Sequence, residues 1–217
     1  MDFILFGMQG SGKGTQGKIL AEVYDMTIFE TGAALRNLAK QSSDLGKRVK
    51  NIIESGHLVP NEVVMEIVED CIKSIPQEKN ILFDGIPRKK EQSDSLNALL
   101  SRLGRTSLGI LIEISEKEGR RRLSSRRICE QCKAVYPIFY EKDTCEKCGG
   151  KLVTRSDDTP SGIQTRIEAY NNETVPVIEA YRAAGKLLVI NGEQSIKNVT
   201  EELLLSLRGR LKRPKQS

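Results

Sequence analysis

The chain has a single histidine, His57, in 217 residues, and no apolar run of the roughly 18 residues that a membrane-spanning helix needs. Its N-terminus has no charged segment leading into an apolar, signal-type stretch, so a cytoplasmic location is expected. Internal repeats, low-complexity tracts, aromatic stacking motifs and any recognisable nucleic-acid module are missing too. His57 sits in a proline turn, HLVPN, and reads as a lining or solvent-facing side chain with no acid–base role. Five cysteines without an export signal argue against a disulfide framework. Cys71 stands alone in the apolar pattern VVMEIVEDCI, where it reads as a small buried hydrophobe.

The 38% hydrophobic content over this length suffices for one substantial core with small inserts, and hardly for two large domains. A net charge of +5 is modest, with arginines throughout. That suits polyanionic small molecules as well as nucleic acid, so charge alone does not choose. The basic stretch RGRLKRPK at 208–215 reads as a solvated, frayed end.

Residues 3–15, FILFGMQGSGKGT, organise the rest. A short apolar run ending at Gly7 predicts a buried parallel strand, and apolar residues at helical spacing predict a helix over 13–24. Between them Gly7, Gly10, Gly12 and Gly14 leave the backbone free to curl, so that successive N–H groups and the helix N-terminus can point at a phosphate. Lys13 adds a mobile full charge. The spacing fits the G-x-x-x-x-G-K phosphate loop, with Gly14 where Ser or Thr is usual and Thr15 following it. A glycine-rich linker with a solvated lysine is the competing reading. Strand, spacing and lysine together favour the phosphate loop.

Strands are further predicted near 26–30, 81–83, 108–114 and 187–190, and helices over 31–41, 44–55, 62–74, 89–103, 116–127 and 161–184, with a last helix from about 195. The β-α-β-α order predicts an α/β fold with a five-stranded parallel sheet wrapped by helices. A helical insert falls near 30–60 and a cysteine-bearing insert near 128–158. Ligand groups collect at the C-terminal ends of such strands, which places Asp84 and Arg88 close to the phosphate loop.

Within the second insert, Cys129-x-x-Cys132 and Cys145-x-x-Cys148 supply four thiolates in two knuckles. That set is what tetrahedral zinc needs, and it leaves no open position for water, so the metal is expected to be structural. A thioredoxin-type redox pair lacks supporting context. A nucleic-acid-gripping ribbon is the stronger rival. Against it, Arg122, Arg126 and Arg127 before the ribbon and Arg155 after it point basic groups back toward the nucleotide.

In order along the chain stand GMQGSGKGT, TGAALR, FDGIPRKKEQ, RRRLSSRR and RSDD followed by Arg166. This series, with the ribbon inside it, closely resembles the bacterial adenylate kinases with a long, zinc-containing lid, over residues 1–198. The resemblance implies a P-loop nucleoside monophosphate kinase fold. It implies a core domain at 1–29, 60–127 and 159–217, a nucleoside-monophosphate-binding (NMP-binding) domain at 30–59, and a zinc-ribbon lid at 128–158. It further implies reversible transfer, ATP + AMP to 2 ADP, with Mg2+ accompanying ATP and structural Zn2+ on the four cysteines. ATP, AMP and ADP would be the partners, with no nucleic acid or membrane, and the protein a monomer.

Residue by residue, the resemblance implies that Gly10, Ser11, Gly12, Lys13, Gly14 and Thr15 cradle the ATP phosphates. Arg122, Arg126, Val135, Tyr136 and the backbone at Gln194 would make further ATP contacts. Thr31, Arg36, His57, Leu58, Val59, Gly85, Ile86, Pro87, Arg88 and Gln92 would form the AMP site, with Arg155 and Arg166 on its phosphate. Asp84 would order the hydrated magnesium ion. Lys13, Asp84, Arg88, Arg126, Arg155 and Arg166 would surround the transferring group. Phosphoryl transfer asks for alignment and charge neutralisation with little covalent work, which fits a site rich in arginine.

The sequence departs from the family pattern at Gln9, Ala33, Asn61, Ile86 and Lys89, and Ser161-Gly162 replaces a usual Glu. None of these removes a phosphate-binding group, so activity is expected. Ala33, Asn61 and Ile86 bear on acceptor choice, with another nucleoside monophosphate as the alternative.

Overall fold

The computed structural model describes residues 1–54, 59–136, 140–154 and 158–211, with the side chains of all of these except residues 36, 53 and 54. In chain order the first half contains β1 (Asp2–Phe6), α1 (Lys13–Tyr24), β2 (Thr27–Glu30), α2 (Thr31–Leu38), α3 (Asp44–Glu54), α4 (Asn61–Lys73), β3 (Ile81–Asp84) and α5 (Lys90–Arg102). The second half contains β4 (Ser107–Glu113), α6 (Glu116–Ser124), β5 (Arg127–Cys129), β6 (Val135–Tyr136), β7 (Leu152–Thr154), α7 (Pro160–Ala169), α8 (Val175–Ala183), β8 (Leu187–Asn191) and α9 (Ile196–Ser206). No helix among the described residues is long and apolar enough to cross a membrane.

The five long-range strands pair in the order β2-β3-β1-β4-β8, all parallel, as the sequence pattern predicts. Every residue of β1 is buried, because a central parallel strand is covered on both faces. Strand alternation splits its side chains between two layers. Ile4 and Phe6 pack with α4, α5 and α8 through Val68, Leu96 and Tyr181. Phe3 and Leu5 pack on the other face with α1 and α9 through Leu20 and Leu203.

One end of the sheet is locked by a charge pair with no counterpart in the sequence reading. Asp2 and Arg105 have side chains 1% and 4% exposed. The carboxylate accepts from Arg105 Nε at 2.7 Å and Nη2 at 2.8 Å, and from the Ile81 N–H at 2.9 Å. Arg105 Nη2 also donates to the Lys79 carbonyl at 2.6 Å. With both charges hydrogen-bonded, the pair escapes the penalty of an isolated buried ion, whereas removing one partner costs about 3–5 kcal/mol.

The segment expected as one helix over 161–184 is three pieces: α7, a single π-helical turn at Tyr170–Thr174, and α8. Pro176 explains the break, since it has no N–H to continue the regular ladder. The helix expected to reach 127 also ends early, at Ser124. Arg126 therefore lies in a loop and Arg127 opens a second, antiparallel sheet of order β6-β5-β7. In it Arg127 pairs with Thr154 and Cys129 with Leu152. The chain thus leaves the core and returns to it on neighbouring strands.

Candidate active site

The loop between β1 and α1 forms because the chain must turn sharply from a buried strand into a helix. Gly12 caps α1 with φ of 91°, a left-handed conformation that costs glycine nothing. The Thr15 N–H donates to the Gly12 carbonyl at 3.0 Å, whereas the Lys13 and Gly14 amides stand at the very start of α1, where a helix has no acceptor for them, and are donors suited to an anion. Gly10, Gly12, Lys13, Gly14 and Thr15 line this turn, with Thr15 and Gly12 exposed. Ser11 differs. The residue is 2% exposed, its Oγ sits beneath the loop over Gly7 and its N–H donates to the Met8 carbonyl at 3.0 Å, so Ser11 shapes the turn from within.

Lys13 is half-buried at the mouth of this loop. Burial lowers its pKa, Asp84 partly restores it, and Arg88 and Arg126 lower it further. One lysine therefore feels groups from the end of β3, from the turn after it and from the loop after α6. Asp84 ends β3 in register with Leu5 and Glu30. Its Oδ2 lies 3.7 Å from where a Cβ on Gly14 would stand, which puts the carboxylate against the phosphate loop. A carboxylate held against the phosphate loop is a hard-oxygen donor of the kind that holds hydrated Mg2+.

Beyond Asp84 the chain turns through Gly85, Ile86, Pro87 and Arg88, with a cis peptide bond between Ile86 and Pro87. Arg88 Nε donates to the Gly85 carbonyl at 3.1 Å, and the Arg88 N–H donates to Gln92 Oε1 at 2.8 Å. Thr31 Oγ1 and Arg88 Nη2 both approach Gly85. Thr31 Oγ1 is buried and has no hydrogen-bond partner among the described residues, as expected of a group kept for a ligand. Ile86 faces elsewhere, packing in the core at 1% exposure, and Val59 packs against the same cluster. Asn61 is also turned aside, donating from Nδ2 to Ser95 Oγ at 3.2 Å.

Arg126 and Arg166 meet on one carboxylate. Asp158, with a side chain 0% exposed, takes Arg126 Nε at 2.8 Å and Nη2 at 2.7 Å, and Arg166 Nη2 at 2.6 Å. Burial pushes the Asp158 carboxyl up, but the hydrogen bonds from Arg126 and Arg166 outweigh it and hold it below the usual range. Sequence reading quoted Asp158 inside RSDD without giving it a role. The pairing of a buried carboxylate with two arginines is visible only in three dimensions.

Arg122 is a brace between loops. It donates from Nε to Glu118 Oε1 at 2.6 Å and from Nη2 to the Gly192 carbonyl at 2.9 Å. Its Nη1 reaches the Gly10 and Ser11 carbonyls at 3.4 and 3.5 Å. The guanidinium thus ties the phosphate loop to the 191–194 loop. There the Gln194 side chain is anchored on the Asn191 carbonyl and on Glu202.

In the smaller sheet Cys129, Cys132, Cys145 and Cys148 place their four sulfurs within 4.8 Å of one another. The Cys129–Cys148 and Cys132–Cys145 sulfur separations are 3.4 and 3.5 Å. Tetrahedral Zn–S bonds of about 2.3 Å put sulfurs about 3.8 Å apart, so the four thiols fit such an ion with small adjustment. Gly150 is required here, since a Cβ on it would stand 2.9 Å from Cys129 Sγ. Burial pushes the Cys145 thiol up, but hydrogen bonds from Tyr136 and from nearby backbone amides bring it down to about 6. Tyr136 is 4% exposed and turned into the knuckle, whereas its neighbour Val135 is 58% exposed. Of this pair, Val135 is therefore the residue open to solvent.

Of the expected site, His57, Leu58 and Arg155 lie outside the described residues, as does the Arg36 side chain. A model of the adenylate kinase family matches residues 5–186. An adenylate kinase of Kosmotoga olearia is 39% identical over 212 residues, 95% of this chain and 99% of that protein. Adenylate kinases of Alkaliphilus oremlandii, 38% identical over 213 residues (95% and 98%), and Methanocella arvoryzae, 36% over 213 residues (96% and 99%), match almost as widely. Phosphate loop, strand-end carboxylate and arginines, and these end-to-end matches together assign the chain to the adenylate kinase family.

Proposed function

We propose that the chain transfers the terminal phosphoryl group of Mg2+-bound ATP to the phosphate of AMP, giving two ADP, and runs the reverse reaction equally. The observation that carries this is the Asp84 carboxylate held against the phosphate loop that bears Lys13, with Arg88 seated on the Gly85 carbonyl in the turn that follows it. Bound magnesium supplies charge neutralisation across the ATP phosphates.

In this reading residues 10–15 wrap the ATP phosphates through backbone N–H groups, and Lys13 contacts the group in transit. Arg88 presents a planar fork to the AMP phosphate from its seat on the Gly85 carbonyl. Arg126 and Arg166, fixed by Asp158, approach from the lid hinge, with Arg155 a few positions before Asp158 in sequence. Such charge preorganised around a transferring group is where most of the rate comes from. Thr31 and Gln92, with Arg36 and the 57–59 turn, would receive the acceptor base and ribose in an NMP-binding domain at 30–59. Asp84 would hold water on the metal. No side chain has to act as a nucleophile.

Water competes with AMP, so the acceptor must be enclosed before transfer. The 128–158 lid, with strands β5 and β7 as adjacent hinges, is the segment suited to close. Its four cysteines have the chemistry of a structural zinc site that staples a lobe too small for its own core. The core at 1–29, 60–127 and 159–217 would carry the rest.

The test is ADP formation with AMP, CMP, UMP and GMP at equal ATP and magnesium. AMP should be the fastest acceptor. Faster turnover of UMP or CMP would replace the adenylate assignment, a result that the inward-turned Ile86 and the Ser95-bound Asn61 argue against.

A further inference from the structure

We propose that Tyr136 is a positioning residue of the four-cysteine centre, its phenol donating a hydrogen bond to the Cys145 sulfur and so setting how firmly the metal is retained. The proposal rests on the metal reading above. Tyr136 Oη lies 3.1 Å from Cys145 Sγ. The same oxygen accepts the Glu146 backbone N–H at 3.1 Å. A metal-bound cysteine is a thiolate and has no proton to give. With Glu146 donating to Oη, the phenolic proton is the one available for the bond to sulfur.

Among the described residues, no other side-chain hydroxyl contacts a sulfur of the cluster; Cys129 and Cys148, and Cys132 and Cys145, meet sulfur to sulfur. A hydrogen bond drains charge from a thiolate and fixes its direction, which lowers its tendency to take a proton and leave the metal. Outer-shell partners of this kind change metal affinity about 10–100-fold when removed. The buried position of Tyr136, in one cluster with Cys129, Cys145 and Leu152, keeps water from substituting for the phenol.

The fold provides its own control. Tyr140 packs on Tyr136 with ring centroids 4.3 Å apart, but its hydroxyl donates to the Thr144 carbonyl at 2.9 Å. Full-length wild type, Tyr136→Phe and Tyr140→Phe would be loaded with Zn2+ for release into a competing chelator, and with Co2+ for absorption spectra. Tyr136→Phe should release zinc roughly 10-fold or more faster, and its sulfur-to-cobalt charge-transfer band should move to lower energy. Tyr140→Phe should match wild type in both. Equal release rates and bands in wild type and Tyr136→Phe would overturn the proposal, as would the same changes in Tyr140→Phe. If Tyr136→Phe does not fold, 3-fluorotyrosine at all five tyrosines keeps the packing and strengthens the donor. The cobalt band should then move to higher energy, and an unmoved band sinks the idea. Wild type that binds no metal would refute the metal reading itself, an outcome distinct from these.

Discussion

Asp158 grips Arg126 through two parallel hydrogen bonds, Nε to Oδ2 at 2.8 Å and Nη2 to Oδ1 at 2.7 Å, at the point where the chain re-enters the core from the smaller sheet. The same carboxylate takes Arg166, so one buried charge fixes the direction of two guanidiniums. A two-pronged pair of this kind sets orientation as well as distance.

Asp158→Asn keeps the shape and loses the charge. With the arginines free to swing, kcat/KM for ADP formation should fall about 10–100-fold, the size of loss that a misplacement of an ångström produces. Far-UV circular dichroism should be unchanged. Activity within twofold of wild type would mean that other contacts hold the two arginines.

Lys13 carries its charge in a half-buried position where burial and two arginines oppose it. Lys13→Met should therefore cut turnover by about 100-fold or more, with thermal stability equal to wild type or slightly above it. Retained turnover would remove Lys13 from the site, and a large drop in melting temperature would make it structural.

Glu118 is held at about 2 by its hydrogen bonds to Arg121 and Arg122, against an opposing push from burial. A carboxylate with a depressed folded pKa adds stability that is fully present above the unfolded value, about 4.3, and is lost as pH falls toward the folded one. Wild type should thus lose melting temperature between pH 5 and about 2 more steeply than Glu118→Gln. Parallel curves for the two would show that the pair adds nothing in solution. Since Arg122 braces the phosphate loop, Glu118→Gln should also raise KM for ATP.

Gly150→Ala forces a Cβ to 2.9 Å from Cys129 Sγ, and Cys129→Ser removes a ligand outright. Both should bind zinc more weakly and melt lower, by about 5 °C or more for Cys129→Ser, given that a kcal/mol shifts a chain of this size by about 2–4 °C. Chelation of wild type should give the same shift. The fraction still folded should make ADP. Loss of phosphoryl transfer at unchanged melting temperature would contradict a structural role for the metal.

The sequence by itself determined the strand-loop-helix around Lys13, the five individual strands and the two cysteine knuckles, because each depends on residues within a few positions of one another. Local spacing fixes a glycine turn, a strand period or a two-cysteine knuckle without reference to the rest of the chain. Tertiary structure decided which way the side chains of those motifs point. Ile86 turned into the core, Asn61 onto Ser95 and Tyr136 onto Cys145, while the donors of Arg122 were spent on Glu118 and on loop carbonyls. The turn at Tyr170–Thr174 has a local cause in Pro176, which periodicity alone, running smoothly through 161–184, does not register. Asp2 with Arg105, 103 positions apart, and Asp158 with Arg126, 32 apart, have no mark in local pattern. A buried charge takes whichever partner the folded chain brings within hydrogen-bond reach, and only packing settles which one that is.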